Sequence, residues 1–412
     1  MRLVLFCVFL YLAGVVQAAP TTNTTNTTTS DSFKAPSFTT RTIWTIISSS
    51  ILTLFACTYS AIHPNIPSPK DSSSLDMIWR QLGIMMMALI APELMVTWAM
   101  RQWLSAQQTH SFFVLMGGLM LYANGEPCRT LEHKHILRLI HEKCIDVPTI
   151  TANQIHDKSK GNAISKGLVM LQAAWFVMQL ITRAIYHLEI TQLEVGTLAF
   201  AVLNFLTYAV WWDKPLDVQC PHPVYWKSTE SRPEGHIDVS DKDEFVQLRY
   251  LPRVFSPIIE LIGWADIPTS RKLQVPTFDG SIKLEVLDRM ALLQAGYLIG
   301  TIFGGIHCMA WFFAFPTYEE QVLWRISAVA TTCIPCLCLG AYLASEMIYL
   351  VQPFPDSLMR VMRGLYLMIC FAFAMLYIIA RVVLLVLMFT TLRNLPPNAY
   401  EAVLWTSLVP HL

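Results

Sequence analysis

Seven stretches of mostly apolar residues lie along the chain, at 43–62, 81–103, 166–186, 193–212, 290–313, 323–346 and 363–391. A membrane-crossing helix needs about 20 such residues at about 1.5 Å of rise each. These runs therefore predict an all-α polytopic membrane protein with about seven transmembrane helices. Composition agrees, since 54% of residues are hydrophobic and 14% are charged, whereas a soluble domain carries roughly 25% charged residues. The formal net charge is zero, so nucleic acid is not an expected partner. Membrane lipids and a small hydrophobic molecule are. Trp44, Trp79, Trp103, Trp211, Trp212, Trp311 and Trp324 fall near the ends of the runs, where an interfacial aromatic belt places them.

Residues 1–19 read as a secretory signal peptide. Arg2 supplies the positive end, Leu3 to Val16 is an unbroken apolar run, and Val16-Gln17-Ala18 offers the small residues that a signal peptidase reads. An uncleaved anchor is the alternative. Residues 20–42 form a Thr/Ser/Asn tail with little to bury, expected to be disordered, with glycosylation sequons at Asn23 and Asn26. Entry is thus expected through the secretory pathway, into the endoplasmic reticulum or plasma membrane, with the tail lumenal or extracellular. Residues 43–412 are expected to be a single transmembrane helical domain.

Two long loops, 104–165 and 213–288, are expected to carry interfacial helices. Leu131 to Cys144 is amphipathic, with Ile136, Leu137, Ile140 and Cys144 on one side. Phe245 to Trp264 is a second such element. Phe112 to Tyr122 is too short to span, and its Gly117-Gly118 pair suggests a re-entrant piece or a packed strand. Orientation carries a conflict. A lumenal tail followed by seven spans puts both long loops outside, yet those loops hold most of the Lys and Arg, against the positive-inside trend. If the 81–103 segment only dips into the membrane, every later loop inverts.

Charged groups inside apolar runs are costly and normally face a partner in the bundle. Glu93 follows Pro92 in the string LIAPEL. Gln172, Trp175, Gln179 and Arg183 recur at helical spacing, as do Asn204, Tyr208 and Trp211. Gly300, Gly304, His307 and Trp311 share a face, and the two glycines form a pair that lets another helix approach closely. The last run carries Arg363, Tyr366, Cys370, Tyr377 and Arg381. The candidate intramembrane site is therefore Glu93, Gln172, Gln179, Arg183, Asn204, His307 and Arg381, with Glu93, His307 and Arg381 as its titratable or ion-pairing members. Two readings stand side by side: a ligand cavity, or polar groups that satisfy one another between helices.

No cofactor and no metal is expected. Cys333, Cys336 and Cys338 spell CIPCLC inside an apolar run without a nearby His, which reads as packing. His133, His135, His141 and Cys144 supply only one pair at helical spacing. One disulfide is expected among Cys128, Cys144 and Cys220, all in the long loops. The chain has no P-loop, no H-E-x-x-H zinc motif and no G-x-S-x-G nucleophile elbow.

The strings ACTYSAIHPNIP at 56–67, LIAPEL at 89–94, WAMRQW at 98–103, NGEPCRTL at 124–131, LEVGTLAFAVLNFLTYAVWWDKPLDVQCP at 193–221, GGIHCMAWFFAFPT at 304–317 and WTSLVPHL at 405–412 resemble a largely uncharacterised fungal family of multi-pass membrane proteins. The resemblance implies a setting beside fungal secondary metabolism and no particular catalytic residues. It draws attention to Asp213-Lys214-Pro215 and Asp217, read either as a rigid membrane-exit turn or as part of a ligand site. Three functions follow as expectations: an accessory protein or carrier for a small molecule; an intramembrane enzyme acting on a terpenoid or lipid; and a seven-span receptor.

Overall fold

The computed structural model describes residues 38–61, 63–67, 74–106, 108–159, 163–216, 218–227, 273–275, 284–351 and 356–403. The signal peptide at 1–19, the sequons at Asn23 and Asn26, Asp217 and the 245–264 element lie outside the described residues. In chain order the described elements are β1 (Phe38–Thr40), α1 (Ile43–Ala61), α2 (Ser74–Ile90), α3 (Pro92–Ser105), α4 (Thr109–Leu115), β2 (Leu119–Ala123), β3 (Glu126–Thr130), α5 (His133–His141), α6 (Ala152–Lys158), α7 (Ala163–Ile185), α8 (Gln192–Val210), β4 (His222–Tyr225), α9 (Val286–His307), α10 (Tyr318–Val351), α11 (Asp356–Thr390) and β5 (Glu401–Val403).

Five helices are long and apolar enough to cross a membrane: Gly167–Ile185, Gln192–Val210, Val286–Phe312, Tyr318–Ala344 and Gly364–Arg393. The apolar part of α1, Ile43–Tyr59, is shorter, at the lower end of the roughly 17–25 residues that span. The run at 81–103 is not one straight helix. Gln81–Ile90 and Pro92–Ser105 meet at a bend of 114°. Pro92 is the cause: it has no N–H to donate and disfavours helical geometry at the residue before it. Ala91 accordingly leaves the helix, at φ −142° and ψ 70°.

Contacts between the connections bring distant parts of the chain together. Ile66, which follows α1, shares one hydrophobic core with Phe113, Leu121 and Ile136 from the connection after α3, and with Val218 and Val224 after α8. Val275 lies on the same unit, against Gly117 and Thr130. These connections are therefore on one side of the membrane. On the other side, β1 pairs with β5 in antiparallel register, Phe38 opposite Val403. Arg41 and Arg183 both bond the carbonyl of Ala399 there. The first and last described strands thus lie together. The bent α2–α3 pair is either a broken span or a re-entrant loop, so the described residues offer five candidate spans, or six if the pair is one. The sequence predicts seven spans; five to six candidates are found among the described residues.

The extramembrane unit is a three-stranded sheet, in order β3-β2-β4, with β2–β3 antiparallel and β2–β4 parallel. Asn124 and Gly125, both at positive φ, turn β2 into β3, as the Asn-Gly dipeptide does in two-residue hairpins. The Phe112–Tyr122 stretch divides: Phe112–Leu115 ends α4, and Leu119–Tyr122 lies in the packed strand β2. The amphipathic stretch expected on the membrane surface is α5, and it lays Ile136 and Leu139 into the core of this unit. The free thiols of Cys128, Cys144 and Cys220 belong to the unit or its edge, Cys144 buried and the other two exposed.

In the bundle, α8 is the central element and touches α1, α3, α7, α9 and α11. Its span is 61% buried, against 11% for that of α11, which lies at the periphery and leaves most of its apolar surface to lipid. Trp44, Trp79, Trp103 and Trp212 are exposed, as a belt requires, whereas Trp211 and Trp324 are fully buried. Gly304 holds α9 against α10: a Cβ there comes within 2.5 Å of the Thr332 nitrogen. At Gly305 a Cβ meets nothing within 4 Å. Gly304→Val is expected to destabilise the protein by about 1–3 kcal/mol through overpacking and Gly305→Val by much less. Thermal unfolding of both in lipid nanodiscs, with loss of stability confined to Gly304→Val, checks the α9–α10 seam.

Candidate functional site

Glu93 occupies the first turn of α3, directly after the break, with Pro92 at the first helical position. Negative charge is favourable there, beside the N–H groups that open a helix. Its carboxylate meets two residues of α11 spaced one turn apart. Arg381 Nη1 lies 2.9 Å from Oε2, and the Tyr377 hydroxyl donates to Oε1 at 3.1 Å. Both partners of the ion pair are nearly inaccessible, with side-chain exposures of 12% and 11%. The Arg381 guanidinium stacks 4.1 Å above the ring of Phe303 on α9 and 6.0 Å from Phe200 on α8. Four helices thus supply the centre: α3, α8, α9 and α11.

His307 is one turn beyond Phe303, its ring 4.8 Å from that of Phe303. Its Nδ1 donates to the Phe303 carbonyl at 2.8 Å, and its own carbonyl accepts from the Trp324 indole at 3.2 Å. It is a packed histidine at the edge of the centre. Asn204 donates to the Phe200 carbonyl within α8. Gln172 joins α7 to α1 by a bond to Thr53 at 3.4 Å, and Gln179 is half-buried on the same helix.

Arg183 belongs elsewhere. At the far end of α7 it donates to the carbonyls of Glu189, Glu401, Asn398 and Ala399, clasping the C-terminal segment. Beside it Arg41 grips Glu194 with two nitrogens, at 2.5 and 3.2 Å. Glu194 also closes the capping box that begins α8, accepting from the backbone N–H and the hydroxyl of Thr191. The Thr-x-x-Glu spacing at 191–194 is the sequence signal for that box. Neither Arg41 nor Glu194 was among the expected site residues.

The Asp213-Lys214 turn is also corrected. Asp213 is exposed, but Lys214 is 1% exposed. Its ammonium donates to the His63 carbonyl at 2.7 Å and to Gln102 Oε1 at 2.9 Å. It stands 4.2 Å from the ring of Trp211 and 5.1 Å from that of Trp98, whose rings meet edge-on at 5.0 Å. Among the described residues no carboxylate pairs with it. Burial pushes its pKa well below the usual lysine range. The stability consequence has a definite sign. Between the folded value and about 10.4 the unfolded chain holds a proton that the folded chain has shed, so folding gains stability as pH rises through this window. The melting temperature of wild type is therefore expected to rise relative to that of Lys214→Met from neutral pH towards about 10. A difference independent of pH would show the lysine to be charged in the folded state.

Among the described residues no three His, Cys, Asp or Glu side chains gather as a metal site. Cys336 contacts Thr301 at 3.2 Å, and Cys338 is buried between helices.

No curated protein and no solved structure matches the chain. One family model does, over residues 5–111, 105–232 and 283–412, which together cover most of the chain. The chain belongs to the Family of unknown function (DUF8562).

Proposed function

We propose that this protein is a membrane carrier in which a small molecule passes the Glu93–Tyr377–Arg381 centre. The observation that supports the reading is a buried ion pair seated on a sharply broken helix pair, which we read as re-entrant. Discontinuous helices with a half-helix N-terminus aimed into the bundle are a recurring way to build substrate sites in transporters. A buried ion pair is weak support for stability, because apolar residues of similar size hold a fold as well. The intramembrane enzyme finds less support, since both oxygens of Glu93 are engaged by Tyr377 and Arg381 and His307 Nδ1 by a backbone carbonyl.

The orientation we propose places the N-terminal tail, the β1–β5 pair and the Arg41–Arg183 clasp in the lumen or outside the cell. The β2-centred unit is then cytosolic. The signal-like residues 1–19 and the sequons at Asn23 and Asn26 favour this arrangement. With the α2–α3 pair re-entrant, the Lys- and Arg-rich loops fall on the cytosolic side and the positive-inside trend is met. Cys128, Cys144 and Cys220 then face a reducing compartment, which suits their free thiols. The resemblance to a fungal family suggests a role beside secondary metabolism.

Arg381→Met alone is expected to cost about 3–5 kcal/mol, because it leaves the Glu93 charge buried without its cation. The double variant Glu93→Met/Arg381→Met is expected to recover most of that stability and yet fail to function. The readout is a deletion strain profiled for metabolites in cells and in medium. The carrier reading expects one compound to shift between the two compartments, restored by the wild-type gene and not by the double variant. A compound missing from both, with a precursor accumulating in its place, would favour the enzyme.

A further inference from the structure

We infer that the molecule carried is a monocarboxylate with an apolar tail, whose headgroup takes the place of the Glu93 carboxylate on Arg381 and Tyr377; this rests on the carrier reading above. The receptacle is already shaped for that group, because a carboxylate occupies it. A guanidinium nitrogen and a phenol reach one oxygen each, at 2.9 and 3.1 Å. The internal occupant is attached to α3 directly after the kink at Ala91, so a small rotation of α3 about that point withdraws it.

The Glu93–Arg381 contact uses one guanidinium nitrogen, Nη1. The Arg41–Glu194 pair shows what a closed structural bridge in this protein looks like, with two nitrogens on two oxygens. Arg381 therefore keeps donor capacity that a free carboxylate, unconstrained by a helix, can engage in the bidentate geometry arginine favours. Stacking on Phe303 at 4.1 Å holds the guanidinium in place once Glu93 leaves.

Charge decides the ligand class. When Glu93 withdraws, Arg381 is a buried cation that only an anion compensates; a neutral molecule leaves it unpaired, and a cation adds like charge. A single arginine balances one negative charge, which disfavours phosphate and dicarboxylates. The N-terminus of α3, aimed at the centre, favours the same sign. The aromatic walls of Phe200 and Phe303 and the surrounding bilayer suit an apolar tail.

The test is chemical rescue of the full-length protein in nanodiscs of zwitterionic lipid. Glu93→Gln keeps the shape of the side chain and removes the internal anion. Its melting temperature is expected to fall below that of wild type and to be restored by hexanoate, with no restoration by hexanamide or hexylammonium. Freed of its competitor, the receptacle is expected to bind hexanoate about tenfold more tightly than in wild type or better, and Arg381→Met is expected to lose the response. An absent response, or one shared equally by hexanamide, overturns the assignment. If Glu93→Gln does not fold, calorimetric titration of wild type with hexanoate takes its place: saturable binding absent with hexanamide supports the site, and none overturns it. Hexanoate flux into vesicles separates the two claims. Binding without flux keeps the carboxylate site and removes the carrier. Flux of a neutral compound exported in the profiling experiment, with no response to hexanoate, keeps the carrier and removes the carboxylate.

Discussion

A helix interrupted inside a bilayer frees backbone groups that lipid cannot satisfy, so the break must be enclosed by protein. That constraint at Ala91–Pro92 organises much of this molecule. The Ala91 N–H bonds the Met87 carbonyl at 2.8 Å, and the Ala91 carbonyl accepts from Leu94 and Met95. The rest of the enclosure comes from neighbouring helices. Met95, Val96, Trp98 and Ala99 are buried around the circumference of α3, which a helix facing lipid on one side does not show. Packing of α3 against α8 and α9, with α11 reaching in through Tyr377 and Arg381, follows from the need to surround the break. The carboxylate of Glu93 is placed where that enclosure is complete.

Arg183, Lys214 and Arg381 are held in three different ways, and the contrast separates structure from site. Arg183 is saturated with backbone carbonyls, a mode that fixes a chain segment and leaves no acceptor to exchange. Lys214 joins the 63–67 segment, α3 and the exit from α8 through one carbonyl, one amide and two indole faces. Arg381 has a carboxylate that belongs to a mobile type of element, a half-helix with a hinge. Only the last arrangement can be undone locally without unlacing a junction between segments.

The apolar runs made the helices legible from sequence because lipid exposure demands length, and the Gly300–Gly304 pair made the α9–α10 seam legible because close approach demands small residues. Glu93 and Arg381 were legible because a charge in an apolar run needs a reason. What was not legible is non-local. Pro92 announces a bend, but whether the chain continues across or turns back depends on where Ile66 and Phe113 pack. The polar face of α7 is real, yet periodicity gives a face and not a depth, so Arg183 turned out to serve the C-terminal segment. Lys214 read as a headgroup residue because Trp211-Trp212 precede it; only Trp212 faces outwards, and the turn after α8 carries the lysine inwards. The hairpin at Asn124-Gly125 is the opposite case, a strictly local signal that the string NGEPCRTL contained.

The β1–β5 pair has a consequence for how the protein is made. Thr39 bonds the carbonyl of Ala402 across 363 positions of sequence, and Arg41 waits for the carbonyls of Ala399 and Tyr400. β1 therefore has no strand partner until β5 has been synthesised. During all of membrane insertion, α1 is held only by the helices that arrive after it, and the bundle stays open at that end. Pairing of β1 with β5 therefore waits on all the described helices between them.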